Sequence, residues 1–107
     1  MSRREELRFR DILGAIATIR EHLGSGEFDH KTSDAVLYNL VVIGEGAARI
    51  GEETRERAPE IPWTSIVGLR NLVTHEYFRV DLDVIEDIVN TSLGPLETAA
   101  KRLLQHM

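Results

Sequence analysis

The chain has 107 residues, of which 29% are charged and 42% hydrophobic. This balance is close to the globular average and excludes an intrinsically disordered chain. The length predicts a single domain, residues 1–107, with one hydrophobic core. Because the chain has no cysteine, disulfides, zinc–thiolate sites and thiol nucleophiles are excluded.

The net charge of −5 argues against a large positively charged surface that binds nucleic acid. Eleven of the thirteen basic residues are arginine, which binds phosphate in a planar fork, so we expect any RNA contact to be local and arginine-based. No apolar run approaches the roughly 20 residues of a membrane span. The charged start of the chain, residues 1–6, lacks the apolar stretch of a secretory signal. We therefore expect a cytoplasmic protein with no membrane contact.

The first predicted helix begins at Ser2, because Ser2 followed by Glu5 forms a capping-box pattern. Gly24-Ser25-Gly26 predicts its end. The opposite face, which includes Arg4 and Arg8, is expected to face solvent. Apolar residues recur at alternating spacings of three and four, as on one helical face: Phe9, Ile12, Ile16, Ile19 and Leu23.

The second predicted helix could be capped by Asp29, Thr32 or Ser33, and Gly51 predicts its end. Its apolar face is formed by Val36, Leu40, Ile43, Ala47 and Ile50. Gly44 and Gly46 are small enough to let another backbone approach closely. Glu45 lies among apolar residues, so its carboxylate either pairs with an arginine or points to solvent at the helix end.

Two shorter patterns follow. Residues 52–58 are charged and helix-prone, and Pro59 limits them to a short extra helix of about two turns. Pro62 suits the first position of a third helix, with an apolar face of Ile66, Leu69 and Val73. Trp63 is interpreted as a core or interface anchor rather than a platform for stacking a ligand.

The fourth predicted helix is capped by Asp81 or Asp83 and is expected to bend or split at Gly94-Pro95. Its face is formed by Ile85, Ile88, Ser92, Leu96, Ala99 and Leu103. No strand pattern is present. Short loops between long amphipathic helices predict an all-α, up-and-down four-helix bundle with the fourth helix bent near Pro95.

The stretch from Arg70 to Tyr77 concentrates polar groups at the end of the third helix. At about 100° per residue, Arg70, Thr74 and Tyr77 share one stripe, whereas Arg70 and His75 lie about 140° apart. Arg70 and His75 therefore do not converge on one straight helix. Either the helix loosens before His75, or a second copy of the chain completes the site, and the latter predicts a homodimer.

These residues suit metal-independent chemistry on RNA. The four histidines are dispersed, no helical metal-ligand pair or glycine-rich phosphate loop occurs, and neither a metal nor a cofactor is predicted. RNA supplies its own nucleophile, the ribose 2′-hydroxyl. A histidine, with an ordinary pKa of about 6.5, can accept or donate its proton, and an arginine can stabilise charge on the phosphate. We assign catalysis to Arg70 and His75, and RNA-binding support to Asn71 and Tyr77.

The spacing Arg70-x4-His75-x-Tyr77 resembles the Arg-x4-His-x-Tyr motif of HepT-like ribonuclease toxins, within the HEPN superfamily. The resemblance covers nearly the whole chain, since further segments agree in order and spacing: Asp11-Ile12-Leu13, Ile43-Gly44-Glu45, Ile61-Pro62-Trp63, Tyr77-Phe78 and Val80-Asp81. Two departures are visible. Glu76 stands where the family commonly has aspartate, and Gly46 stands where it has alanine, which could alter the packing of helix two.

The resemblance implies a HEPN-like bundle that acts as a toxin, a metal-independent endoribonuclease that dimerises. It also implies a small, MntA-like nucleotidyltransferase antitoxin that silences the toxin by transferring AMP to Tyr77. Two other hypotheses remain open. The chain could be a non-catalytic binding subunit of a nucleotidyltransferase, or a structural helical dimer in which Glu45 is the partner of Arg70.

Overall fold

All regular structure that the computed structural model describes, over residues 1–26, 29–77, 79 and 81–106, is helical. This confirms the all-α prediction. Phe78 and Val80, which belong to the family resemblance, lie outside the described residues. The helices are α1 (Arg3–Gly24), α2 (His30–Ala48), α3 (Glu52–Glu56), α4 (Trp63–Val67), α5 (Leu69–Glu76), α6 (Leu82–Ile88), a π-helical turn (Val89–Leu93) and α7 (Gly94–Gln105).

The helix starts follow the predicted capping residues. The Ser2 hydroxyl accepts from the Glu5 amide, and the Glu5 carboxylate accepts from the Ser2 amide, which completes the capping box of α1. Asp29 caps α2 by accepting from the Thr32 amide at 2.8 Å, which resolves the three-way ambiguity. The α2 helix ends at Ala48 rather than at Gly51, and Gly51 is instead the N-cap of α3.

Close packing of α1 against α2 depends on Gly46. A Cβ atom at this position would lie 3.0 Å from Ile12 Cγ1, so the glycine allows the Ile12 side chain to fill the space. The Glu5 carboxylate reaches the Gly51 amide at 2.8 Å beyond the far end of α2, so the two helices run antiparallel. The predicted apolar faces form the core, with Phe9, Ile12, Ile16, Ile19, Val36, Leu40, Ile43 and Ala47 fully or almost fully buried.

The predicted single third helix is wrong, since α4 and α5 are separate helices that meet at Gly68. Glycine is among the weakest helix formers, which favours a break at this position. The Gly68 amide donates to Thr64 O at 3.0 Å and closes α4. Trp63 packs partly buried against the core, and its indole donates to Ala58 O at 3.0 Å, as expected of a core anchor.

The fourth helix begins with Asp81, whose carboxylate accepts from the Val84 amide at 3.0 Å. The backbone then stays helical to Gln105, and the expected break at Gly94-Pro95 is instead the π-helical turn directly before Gly94. A proline ring clashes with the carbonyl four residues earlier in an α-helix, and a wider turn relieves that clash. Leu93 is fully buried and Ser92 half-buried, so the predicted face was wrong by one residue at this turn.

The helices form an up-and-down bundle, in which α4 and α5 take the third position and α6 to α7 the fourth. α1 packs against α2 and α7, and α2 packs against α4 and α5. Arg102 joins the end of α7 to the loop before α4 through Glu60 at 2.6 Å and Arg57 O at 2.9 Å. No helix among the described residues is long and apolar enough to cross a membrane.

Candidate functional site on α5

The polar stretch lies on α5, which buries Leu69 and Val73 and carries its polar residues on the outer side. Arg70 is half-buried, and Asn71, Thr74, His75 and Tyr77 are exposed. The helix is continuous from Leu69 to Glu76. One of the two alternatives, that the helix loosens before His75, is therefore wrong, and Arg70 and His75 keep the separation of about 140° that helical geometry imposes.

Gly44 brings α5 close to α2. A Cβ atom at this position would lie 2.9 Å from Arg70 N and 3.2 Å from Arg70 Cβ, closer than two such atoms can normally pack. The close approach places Arg70 Nη1 2.9 Å from Glu45 Oε1. Both side chains remain about 40% exposed (41% and 40%), so the ion pair is accessible to a ligand.

The Glu45 carboxylate is surrounded by positive charge. Arg49, the C-cap residue of α2, places its Nη2 atom 3.8 Å from Glu45 Oε2. The hydrogen bond from Arg70 lowers the pKa of Glu45 and outweighs the opposing effect of burial, with further lowering by the charges of Arg70, Arg49 and Arg8. Glu45 is therefore ionised at neutral pH. The bond to Glu45 uses one N–H of Arg70, and the guanidinium fork has further donors for a phosphate.

Tyr77 is tied to the start of α2. Its hydroxyl donates to the carboxylate of Asp34, and this bond, with smaller contributions from burial and charge, raises the pKa of Tyr77 above its ordinary value. Sequence reasoning did not identify Asp34. It lies three helical turns before Glu45 on the same stripe of α2, and this periodicity was the signal that could have found it.

The two contacts determine how α5 lies on α2. Glu45, late in α2, binds Arg70 near the start of α5, whereas Asp34, early in α2, binds Tyr77 just after its end. The helices are therefore antiparallel. Arg70 and Tyr77 face α2, and His75 faces solvent about 140° from Arg70 around the helix. One copy of the chain thus joins Arg70 to Glu45 and Tyr77 to Asp34, but it does not bring His75 to Arg70.

The chemistry available at this face is that of arginine, imidazole, amide and phenol groups. Among the residues that the structure describes, no three histidine or acidic side chains converge as metal ligands. Arg70 can bind a phosphate oxygen, and an exposed imidazole such as His75 can exchange a proton with a bound substrate.

Comparison with known proteins gives a family match. The family model described as "Ribonuclease HepT-like" matches residues 10–103, a range that contains all of α2 and α5. A Thermococcus cleftensis protein named "Probable ribonuclease HepT" is 32% identical over 96% of this chain and 98% of its own length. No solved structure matches the chain significantly.

Two relatives that match over shorter segments also carry ribonuclease names. A Methanocaldococcus jannaschii protein named as a candidate RNase is 42% identical over 59% of this chain. A Caldanaerobacter subterraneus protein with a similar name is 34% identical over 66% of this chain. The matched segments span only 58% and 63% of those two proteins' own lengths.

Proposed function

This chain belongs to the HepT-like ribonuclease family, and from that premise we propose that it is a metal-independent endoribonuclease, the toxin of a toxin–antitoxin pair. The observation that carries the proposal is the surface of α5. Arg70 is held by Glu45 at 2.9 Å with 41% of its side chain exposed, while Asn71 and His75 are open to solvent on the same helix. RNase-named relatives support the activity.

The proposed reaction uses the nucleophile that RNA carries. The ribose 2′-oxygen forms a bond to the neighbouring phosphorus as the bond to the 5′-oxygen breaks, which leaves a cyclic phosphate. His75 takes the 2′-hydroxyl proton, water gives one proton to the leaving 5′-oxygen, and the imidazolium of His75 then returns its proton to the hydroxide that remains, so the step is balanced. Arg70 stabilises the charge on the phosphate. Because Arg70 and His75 diverge on α5, we propose a homodimer whose second copy supplies the missing group.

The test is cleavage of single-stranded RNA by the purified protein with a chelator present. We expect His75→Ala and Arg70→Ala each to lose at least about 100-fold in rate, which is the usual contribution of a proton-transfer group or an oxyanion ligand. His106→Ala is the matched control, because His106 is exposed at the end of α7. Equal cleavage by the wild type and both site variants would contradict the proposal and favour a non-catalytic subunit.

We further propose that a small nucleotidyltransferase antitoxin silences the protein by transferring AMP to Tyr77. In this step the Tyr77 oxygen bonds to the α-phosphorus of ATP, pyrophosphate leaves, and the hydroxyl proton passes to the Asp34 carboxylate that already accepts it. The Tyr77 side chain is 40% exposed, so a second protein can reach its hydroxyl oxygen.

The chain's second tyrosine provides an internal control for this modification. Tyr38 is 69% exposed, so a transfer governed by accessibility alone would favour Tyr38 over Tyr77. We expect incubation with the transferase and ATP to add one AMP to the wild type and to Tyr38→Phe, and none to Tyr77→Phe, as measured by mass spectrometry. Modification of Tyr38 in place of Tyr77 would contradict the assignment.

A further inference from the structure

Three arginines lie around Glu45, and only Arg70 belongs to the motif. Arg70 on α5 and Arg49, the C-cap residue of α2, lie 2.9 Å and 3.8 Å from its two carboxylate oxygens. The third is Arg8 on α1. A Cβ atom added to Gly46, the neighbour of Glu45, would lie 3.7 Å from Arg8 O, so the backbone of Arg8 passes directly beside this part of α2.

Arg8 was expected to face solvent, and the structure shows it half-buried on α1. Its charge contributes to the lowered pKa of Glu45, which agrees with this position. Within the described part of the chain, neither Arg8 nor Arg4 forms a hydrogen bond or ion pair, and both line a cavity of about 230 Å³ with Leu7 and Asp11. By contrast, Arg3 and Arg10 on the same helix are paired with Glu6.

The local charge is opposite to that of the whole chain. Arg8, Arg49 and Arg70 carry three positive charges against the two carboxylates of Glu45 and Asp11, whereas the chain as a whole carries −5. Guanidinium groups bind phosphate oxygens through paired N–H donors. A small patch of positive charge on an acidic protein can bind a short segment of RNA, whereas the negative charge of the remaining surface disfavours non-specific binding of long polyanions.

We propose that Arg8 and Arg49 form a phosphate-binding extension of the site, in which they contact backbone phosphates of single-stranded RNA next to the phosphate held by Arg70. The proposal rests on the proposed ribonuclease function. It assigns Arg8 and Arg49 to substrate binding, so their loss weakens binding without removing the groups that take part in the chemical step.

The test measures RNA binding in a His75→Ala background, so that the RNA is not cleaved. A labelled mixed-sequence single-stranded oligoribonucleotide is the probe, and its dissociation constant is measured across a series of salt concentrations. The matched control is Arg10→Gln, which removes the same charge from α1 about 160° around the helix from Arg8. We expect Arg8→Gln and Arg49→Gln each to weaken binding several-fold and to reduce the salt slope by about 0.7, the value for one phosphate contact on a single strand.

Each outcome decides one point. If the wild type cleaves RNA but Arg8→Gln and Arg49→Gln change the slope no more than Arg10→Gln does, the extension is absent. If these two substitutions instead convert a dimer to a monomer in light scattering, the arginines hold a second copy of the chain and the proposal is overturned. Failure of the proposed function is separate, since the wild type would then cleave no RNA.

Discussion

At the scale of single residues, position 44 determines how near α5 lies to α2. The sequence predicted that small residues in α2 would admit a neighbouring backbone, and the structure places Arg70 N 2.9 Å from the position that a Cβ atom at Gly44 would take. A carboxylate among apolar residues likewise predicted an arginine partner, and Glu45 meets Arg70. Asp34 and Arg8 were missed. The spacing along α2 places Asp34 on the stripe of Glu45, but the contacts of both residues also depend on how separate helices pack, which that spacing does not specify.

We expect Gly44→Ala to reduce the free energy of unfolding by about 1–3 kcal/mol, since the new methyl group must push α5 away from α2. The same displacement should separate Arg70 from Glu45 and lower the rate of RNA cleavage. Urea denaturation and the cleavage assay measure the two effects.

Gly14→Ala is the matched control for this substitution. Gly14 lies in the middle of α1, and a Cβ atom there meets nothing within 4 Å. Removing a glycine from a helix interior should stabilise the protein by up to about 1 kcal/mol and leave cleavage unchanged. Equal effects of the two substitutions would show that position 44 is not sterically constrained.

At the scale of helices, the sequence predicted the capping residues and the buried faces more accurately than it predicted where the helices break. The capping of α1 by Ser2 and the buried face of α2 from Val36 to Ala47 followed directly from local patterns. Gly68 divided the expected third helix, and a π-helical turn replaced the expected break at Pro95. Both differences concern places where the backbone has two acceptable local conformations, so packing against neighbouring helices decides between them.

Besides capping α1, Glu5 connects this helix to α3. Its carboxylate accepts from the Gly51 amide at 2.8 Å and from the buried Thr54 hydroxyl at 3.0 Å. Burial by itself raises the pKa of Glu5, but the hydrogen bonds from Gly51, Ser2 and Thr54 outweigh it and lower the pKa below the ordinary 4.5. The carboxylate therefore stabilises the fold above that pH, and its contribution is lost as the pH falls through the folded-state pKa.

We expect Glu5→Ala to cost about 2 kcal/mol at neutral pH, because several hydrogen bonds are lost and the Thr54 hydroxyl keeps no partner. The difference from the wild type should shrink as the pH falls below 4.5. Thermal or urea unfolding at a series of pH values measures both. Glu6→Ala is the control, since Glu6 pairs with the exposed Arg3 and Arg10 of its own helix, and its loss should cost less than the loss of Glu5. A loss for Glu5→Ala that is independent of pH would contradict the role of its charge.

At the scale of the whole molecule, the divergence of Arg70 and His75 is the main constraint on function. Their spacing on a helix could be predicted from the sequence, and the unbroken α5 removes the alternative that the helix unwinds. The position of a second copy could not be predicted, because no periodicity within one chain specifies how two chains meet. A composite site nevertheless has a consequence that can be measured in mixtures.

We expect a mixture of Arg70→Ala and His75→Ala proteins to regain activity that neither has alone. In a twofold dimer with shared sites, each mixed dimer contains one site with both wild-type groups and one with neither. Random exchange should therefore restore about a quarter of the wild-type cleavage rate. A mixture as inactive as its components, after exchange of subunits is verified, would contradict a site shared between two copies.

The bond between Tyr77 and Asp34 gives the end of α5 a local stability of its own. The phenolic proton of Tyr77 forms this hydrogen bond, so any group attached to the Tyr77 oxygen abolishes the bond. A phosphate at that oxygen would also place negative charge beside the Asp34 carboxylate. The last turn of α5 would then open more often than the rest of the bundle, and its backbone amides would exchange hydrogen faster. Modification at one oxygen would in this way loosen the segment that carries His75, in addition to occupying the space beside it.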